Sequence, residues 1–186
     1  MSPAVRLIFL AVAFAAWMLP FFIQRPKNTQ KAVKVDPRAR WGIALASVGF
    51  FLTYLHTPKQ WASEFSPLRF ASASIFGLTG IVLAWTAVRS LGRQWRIDAG
   101  LNADHELVRT GPYRIVRHPI YASMLCMLLM GIEAIGSWPV WPVALAFFIA
   151  GTEIRVRVED GLLRERFPAE FEAWRRVVPA YVPFVR

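Results

Sequence analysis

Long apolar runs alternate with short basic segments along this chain of 186 residues. A transmembrane helix needs roughly 20 apolar residues to cross about 30 Å of hydrocarbon, and five runs come close enough to that length to predict spans. The predicted spans cover about Ala4–Ile23, Trp41–Leu55, Phe70–Val88, Pro119–Ile135 and Pro139–Ile154. The pattern therefore predicts an all-α, multi-pass integral membrane protein.

Composition supports this prediction, with 55% hydrophobic and only 18% charged residues and a mean hydropathy of +0.37. The first run could also be a signal peptide, because Ala13-Phe14-Ala15 resembles a cleavage site, but its continuation to Ile23 favours an uncleaved helix. Only Gly136-Ser137-Trp138 separates the last two spans, which predicts a tight helical hairpin. The single cysteine, Cys126, excludes an internal disulfide and a cysteine metal cluster.

The net charge of +10 has two explanations. In a soluble protein it would indicate nucleic-acid binding, but here basic residues flank the apolar runs, so membrane lipids and topology signals explain it better. Lysine and arginine number six in Gln24–Arg40, six in Arg89–His118 and seven in Thr152–Arg186, against two in His56–Arg69 and one, Arg6, at the N-terminus. Five spans with the N-terminus outside place every basic-rich segment in the cytoplasm, so we predict a multi-pass protein of the cell (inner) membrane that binds no nucleic acid.

The segments outside the spans are too short for a separate soluble enzyme domain. About 30 residues lie between the third and fourth spans and about 30 follow the fifth, so residues 1–186 form a single membrane domain. The C-terminal segment predicts an amphipathic helix that lies at the membrane surface or packs onto the core. Its apolar positions recur every three or four residues, at Leu162, Leu163, Phe167, Phe171 and Trp174.

Ionisable residues gather just beyond the fifth span. Arg155 and Glu159 are four residues apart and share a helix face, as do Glu153 and Arg157. These pairs are either surface ion pairs or the rim of a polar pocket, because ionisable groups this close to hydrocarbon are often functional.

Two further groups precede the fourth span. His118 stands immediately before Pro119, where it could cap the helix or donate to a ligand. Asp104, His105 and Glu106 could bind a metal, but adjacent residues rarely converge on one ion, so no metal is predicted. Neither a glycine-rich dinucleotide fingerprint nor a phosphate-binding loop sequence is present.

An ordered series of motifs covers the second half of the chain, from roughly Leu91 to Phe184, and resembles the isoprenylcysteine carboxyl methyltransferase family with its bacterial relatives and the phospholipid methyltransferases. Its most specific part combines Arg117-His118-Pro119-x-Tyr121 with Glu159-Asp160, about forty residues later. The first two spans carry no motif. The remaining matching motifs are Leu91-Gly92-Arg93-Gln94-Trp95, His105-Glu106-Leu107-Val108, Gly111-Pro112-Tyr113, Leu162-Leu163, Phe167, Phe171 and Val182-Pro183.

The resemblance implies a membrane methyltransferase that uses S-adenosyl-L-methionine, with three spans in residues 1–90 and a cofactor-binding core in residues 91–186. An arginine tied to substrate in the family matches Arg155, so Arg155 and Glu159 form the expected catalytic pair. Asp160 replaces the usual glutamate and Trp174 replaces a common tyrosine, which leaves the acceptor open. The family's cofactor site is similar to a set of residues here: His105, Glu106, Leu107, Val108, Tyr113, His118, Pro119, Tyr121 and Glu159.

The chemistry of the acceptor decides which groups the site needs. A carboxylate acceptor, ionised at neutral pH because a free carboxyl group has a pKa of about 4, needs a cation such as Arg155 but no general base. An amine or thiol would need a proton acceptor, for which Glu159 or His118 are candidates. The favoured acceptor is a hydrophobic, prenylcysteine-like carboxylate that enters from the bilayer. The alternatives are a phospholipid or small-molecule N- or S-methyltransferase, an NADPH-dependent membrane reductase of similar fold, and a non-enzymatic membrane scaffold.

Overall fold

The computed structural model describes residues 2–24, 34–54, 66–96, 99–101, 104–135 and 140–183, and within these ranges the chain is almost entirely helical. A two-residue strand β1 (Lys34–Val35) pairs antiparallel with β2 (Gly100–Leu101), the one departure from an all-α fold in the described residues. Short 3-10 turns occupy Gly92–Gln94 and Gly111–Arg114. The helices are α1 (Pro3–Ile23), α2 (Ala39–Tyr54), α3 (Pro67–Leu91), α4 (Pro119–Ile135), α5 (Trp141–Arg166) and α6 (Pro168–Val177).

Local sequence explains where several helices begin. The Ser2 side chain accepts a hydrogen bond from the backbone N–H of Val5, and the Ser66 side chain accepts one from Arg69, so each serine caps a helix. Proline follows both serines and also opens α4, at the position where a missing N–H costs no intrahelical hydrogen bond.

Small residues let α2 lie against α5 at backbone contact distance. A Cβ atom added at Gly151 would lie 2.5 Å from both the amide nitrogen of Ala46 and the carbonyl oxygen of Gly42. One added at Gly49 would lie 2.6 Å from the carbonyl oxygen of Ala144. Small residues at such spacings are typical of packed membrane helices, so α2 does carry a packing pattern, although the family motifs lie elsewhere.

The first helix packs against α3 and α4 rather than standing apart. Leu10 and Trp17 belong to the same buried cluster as Met127 and Met130 of α4. Inside this contact, the indole Nε1 of Trp17 donates a hydrogen bond of 3.0 Å to the hydroxyl of Ser123. The position of α1 is therefore fixed by apolar burial together with one buried polar contact.

Large apolar side chains cover the outside of the first three helices, including Ile8 on α1, Phe51 on α2 and Ile75 on α3. Apolar surface of this extent is typical of helices that face lipid. By length and composition, α1 and the segment Pro67–Gln94 could cross a membrane, whereas α4 is apolar but has only 17 residues. The count of five spans stays a prediction, and the predicted turn at Gly136-Ser137-Trp138 lies outside the described residues.

The fifth helix extends beyond the apolar run that ends near Ile154. It continues to Arg166, so Leu162 and Leu163, predicted for the tail helix, lie on α5 instead. The shorter helix α6 follows after Phe167 and buries Phe171 and Trp174 against Ala87 and Tyr113. Of the two predicted positions for the tail, α6 adopts the one packed onto the core.

Candidate active site

The turn before α4 packs directly against the charged half of α5. Nη2 of Arg117 donates to Oδ2 of Asp160 at 3.0 Å, and Nε2 of His118 lies 2.8 Å from Oδ1 of the same carboxylate. The other ring nitrogen of His118, Nδ1, lies 3.4 Å from Oε2 of Glu159. The structure therefore brings the arginine-histidine-proline motif and the acid pair into one charge cluster.

Both ring nitrogens of His118 face carboxylates that lie beyond the predicted span end at Ile154. Burial alone would lower the pKa of His118, but hydrogen bonds and charges from Asp160 and Glu159 outweigh it and raise the pKa to about 9. Burial alone would raise the pKa of each carboxyl, but the contacts with His118 lower both. His118 is therefore an imidazolium at neutral pH, and it is not available as the proton acceptor that an amine or thiol substrate would need.

Arg155, Tyr121 and Glu159 form a second set of linked hydrogen bonds. Nε of Arg155 donates to the hydroxyl of Tyr121 at 2.5 Å, and that hydroxyl donates to Oε1 of Glu159 at 2.5 Å. Nη2 of Arg155 donates to the same Oε1 at 2.9 Å. Arg155, the expected substrate cation, is therefore linked to Glu159, the expected cofactor acid, both directly and through the hydroxyl of Tyr121.

The two neighbouring acids differ in what they face. The Glu159 side chain keeps 25% of its surface exposed and lines a cavity, whereas the Asp160 side chain keeps 9% and does not line it. Asp160 instead holds Arg117 and His118 in position through both of its oxygens. Of the acid pair, Glu159 is the member that a ligand can contact.

The segment after α6 closes over the same turn. The backbone N–H groups of Arg117 and His118 donate to the carbonyl oxygens of Pro179 and Ala180, both at 2.8 Å. Nη1 of Arg117 also donates to the carbonyl oxygen of Val178. These contacts fix the backbone on either side of the His118 ring, so the C-terminal segment is part of the site's support.

A cavity of about 550 Å³ lies beside the charge cluster, within the range of about 300–1,000 Å³ that small-molecule sites occupy. Every site residue expected from the sequence lines it except Pro119, which instead begins α4. The lining residues among them are His105, Glu106, Leu107, Val108, Tyr113, His118, Tyr121, Arg155 and Glu159.

Much of the remaining wall comes from the first two helices, which sequence reasoning left out of the site. They contribute a mainly apolar and aromatic surface to the same cavity. The signal that could have placed α2 here is its small-residue spacing, which brings it against α5. The residues concerned are Trp17, Met18, Phe21 and Phe22 from α1, and Ile43, Ala46, Ser47 and Phe50 from α2.

Among the non-arginine residues of the cavity wall that the structure describes, four buried polar atoms have no hydrogen-bond partner. Buried polar atoms are nearly always paired, so such atoms around a cavity indicate a polar ligand. They include both donors and acceptors, which suits the amine, carboxylate, hydroxyl and purine groups of S-adenosylmethionine. The residues present therefore fit that cofactor. The atoms are Gln94 Oε1, His105 Nδ1, Thr152 Oγ1 and Trp174 Nε1.

The loop from His105 to Val108 and the turn at Tyr113 form one neighbouring part of the cavity wall. Burial lowers the pKa of His105, so its ring is neutral at pH 7. Burial and the charge of Glu159 raise the pKa of Tyr113 well above its ordinary value, so its hydroxyl stays protonated. Leu107, Val108 and Tyr113 pack with Trp174 of α6, and Glu106 of the same loop also lines the cavity.

Among the described residues, no group of three or more histidine, cysteine, aspartate or glutamate side chains is placed to hold a metal ion. His118, Glu159 and Asp160 do lie together, but they are bonded to one another and to two arginines. Their arrangement is that of an ion-pair network.

The fold and the site together define a membrane protein with a ligand-sized cavity beside a buried charge cluster. Residues 73–165, half of the chain, match the isoprenylcysteine carboxyl methyltransferase (ICMT) family. The chain therefore belongs to the ICMT family.

Three curated relatives show the range of this similarity. The chain is 32% identical over 123 residues to protein-S-isoprenylcysteine O-methyltransferase B of Arabidopsis thaliana, covering 60% of each protein. It is 30% identical over 154 residues to the nickel-cobalt-cadmium resistance protein NccN of Alcaligenes xylosoxydans xylosoxydans, covering 78% of this chain and 65% of that protein. It is 33% identical over 150 residues to the cobalt-zinc-cadmium resistance protein CzcN of Cupriavidus metallidurans, covering 78% and 64%. The chain thus spans slightly less than two thirds of each relative.

Proposed function

We propose that this protein is a membrane methyltransferase that transfers a methyl group from S-adenosyl-L-methionine to the carboxylate of a hydrophobic, prenylcysteine-like acceptor. The observation that carries the proposal is the cavity, whose wall combines the charged residues of the site with aromatic residues of α1 and α2. Family membership and the plant relative support the reaction class.

The residues proposed to hold the cofactor are the loop from His105 to Val108 and Tyr113, together with the charge cluster. When bound, S-adenosylmethionine would supply a methyl group attached to a positively charged sulfur. The carbon–sulfur bond breaks with its electrons kept by the sulfur, and the methyl group is bonded to an oxygen of the acceptor's carboxylate. The accessible, ionised carboxylate of Glu159 provides negative charge for a cation. His105, Glu106, Leu107, Val108 and Tyr113 form the neighbouring wall.

Arg155 is proposed to orient the acceptor. Its guanidinium is held by Tyr121 and Glu159, so its position is set before any acceptor binds, and positioning is the main requirement for a reaction of this kind. The carboxylate of the acceptor is already ionised, so no proton has to be removed from it. The charged state of His118 agrees with a reaction that uses no base.

The apolar wall of α1 and α2 is proposed to take the acceptor's hydrophobic tail. Phe21, Phe22 and Ile43 line the cavity, and the outer surfaces of the same helices are apolar. A lipophilic molecule could therefore pass from the bilayer into the cavity without exposing its tail to water.

The alternative methyl acceptor is the amine or thiol of a phospholipid or small molecule. Such a group must lose a proton, and because His118 is already protonated, Glu159 would have to take it. The Glu159 carboxylate, however, is already bonded to Tyr121, Arg155 and His118. Two relatives are named for resistance to nickel, cobalt, zinc or cadmium. A metal-binding role lacks a ligand cluster in the described part of this chain.

The test is to incubate the purified protein in lipid with radiolabelled S-adenosylmethionine and a panel of prenylcysteines, phospholipids and small acids. We expect label in the prenylcysteine class as a base-labile ester. Binding of S-adenosylhomocysteine, measured beside NADPH, separates the methyltransferase from a reductase. Tight NADPH binding, or no binding of either compound, would overturn the proposal.

A further inference from the structure

Thr152 has a buried hydroxyl that its own helix leaves unused. Its surface is 1% exposed, it lines the cavity, and Oγ1 has no hydrogen-bond partner among the described residues. Threonine in a helix commonly donates to the carbonyl four residues earlier. Thr53 and Thr86 of this chain do so, at 3.0 and 2.7 Å.

A buried hydroxyl without a partner destabilises a fold, so its presence on a cavity wall indicates a partner supplied by a ligand. Thr152 precedes Arg155 by three residues and therefore lies on the same face of α5. Both side chains line the cavity. A ligand atom that reaches the Arg155 guanidinium is thus close to the Thr152 hydroxyl as well.

The position of Thr152 along α5 indicates which ligand this is. Leu163, eleven residues later and so roughly 16 Å farther along the helix axis, packs with Leu107, Val108 and Tyr113 at the end assigned to the cofactor. Thr152 instead lies four residues after Phe148, on the part of α5 that packs against α2. It faces the part of the cavity assigned to the acceptor.

We infer that Thr152 donates a hydrogen bond to the acceptor's carboxylate beside Arg155 and is a specificity-determining residue for carboxylate acceptors. This inference rests on the proposed function, because it deepens the description of the same site. A hydroxyl and a guanidinium on one helix face together present donors to one carboxylate, whereas a neutral head group would use them less well.

The variants that test it are Thr152→Val, which replaces the hydroxyl with a methyl group of similar size, and Thr152→Ser, which keeps the hydroxyl. Thr53→Val is the matched control, because Thr53 is a buried helical threonine whose hydroxyl is already bonded within α2 and does not line the cavity. The proteins are compared in lipid nanodiscs. The probes are N-acetyl-S-farnesylcysteine and its carboxamide, with S-adenosylhomocysteine as the cofactor probe.

We expect Thr152→Val to weaken binding of the carboxylate probe about tenfold, as for a lost hydrogen bond to a charged group, and to reduce the preference over the carboxamide. S-adenosylhomocysteine affinity should not change, and Thr152→Ser should restore carboxylate binding. Without ligand, Thr152→Val should melt at or above the wild-type temperature, because it removes an unpaired buried hydroxyl. Thr53→Val should melt lower and keep its carboxylate affinity.

Unchanged carboxylate affinity in Thr152→Val, or a wild type that does not prefer the carboxylate, would overturn the inference. The proposed function fails separately. If no methyl transfer occurs but the carboxylate preference persists and depends on Thr152, the proposed reaction is wrong and the binding role of Thr152 stands. If methylation occurs and Thr152→Val does not change it, the proposed reaction stands and the role of Thr152 is wrong.

Discussion

Tyr121 connects the two charged residues that matter most for the proposed reaction. Its hydroxyl accepts a hydrogen bond from Arg155 and donates one to Glu159. Removing the charge of either residue therefore alters the hydrogen bonds of the other. Substitutions at Arg155 and Glu159 should therefore be non-additive, as is general for residues in one network. Their separate effects are still expected to differ, because their proposed ligands differ.

Glu159→Gln should weaken S-adenosylhomocysteine binding by about tenfold or more, because a nearly isosteric amide cannot offer the charge that a cationic ligand needs. The measurement is isothermal titration calorimetry. Glu153→Gln is the control, since Glu153 lies on the same helix, pairs with Arg157 and does not line the cavity. Equal affinities for wild type and Glu159→Gln would remove Glu159 from the cofactor site.

Arg155→Ala should raise the KM of the acceptor by more than it weakens cofactor binding, because the proposed partner of the guanidinium is the acceptor's carboxylate. Arg157→Ala removes an exposed arginine two residues away and should leave both quantities unchanged. Kinetics with each substrate varied in turn provide the comparison. Equal losses for acceptor and cofactor would argue against the assignment.

His118 should make stability depend on pH. Its pKa is about 9 in the folded chain, against 6.5 for an unperturbed histidine, so its contribution is complete below pH 6.5 and is lost as pH rises through 9. The difference corresponds to roughly 3 kcal/mol. The thermal midpoint, followed in detergent from pH 6 to 10, should therefore fall over this interval. His118→Gln should flatten the curve, and an unchanged slope in that variant would contradict the assignment.

At the scale of elements, the prediction for α5 shows what an apolar pattern can and cannot report. The apolar run ends at Ile154, and this predicts where the chain leaves the hydrocarbon. It does not predict where the helix ends, because backbone hydrogen bonds form outside lipid as well. No proline interrupts the helix before Pro168, and the helix continues to Arg166. This continuation places Arg155 and Glu159 on the same helix as the apolar residues that precede Ile154.

The contact between α2 and α5 can be tested with two glycines of the same helix. Gly151→Ala should lower the free energy of unfolding by about 1–3 kcal/mol, as overpacking does, because the new Cβ would meet backbone atoms of α2 at 2.5 Å. Gly161→Ala should raise it by about 0.5–1 kcal/mol, since nothing lies within 4 Å of its added Cβ. The measurement is the thermal midpoint of each variant, and similar shifts for both would contradict the close approach.

Sequence reasoning located the site motifs better than it located their surroundings. Spacing and resemblance selected residues that line the cavity, because those motifs involve unusual residue combinations. The contribution of α1 and α2 was not predicted, since Trp17 and Phe50 are ordinary apolar residues until packing turns them toward a cavity. The separate roles of Glu159 and Asp160 also depend on burial, which adjacent positions in a sequence do not reveal.

At the scale of the whole molecule, the predicted orientation rests on the distribution of basic residues and can be tested directly. In a background without Cys126, a cysteine at Ser2 should react with a membrane-impermeant maleimide from outside intact cells. One at Glu165, near the exposed end of α5, should react only in inverted vesicles. Labelling of the Ser2 position from the cytoplasmic side would refute five spans with this polarity.

The wall of the cavity comes from two separate parts of the chain. The charged wall lies mainly within or near residues 73–165, the part that matches the family, while much of the apolar wall lies in α1 and α2, ahead of that region. On the proposed function, a hybrid protein carrying the first two helices of a relative should therefore keep its affinity for S-adenosylhomocysteine and change its preference among acceptors.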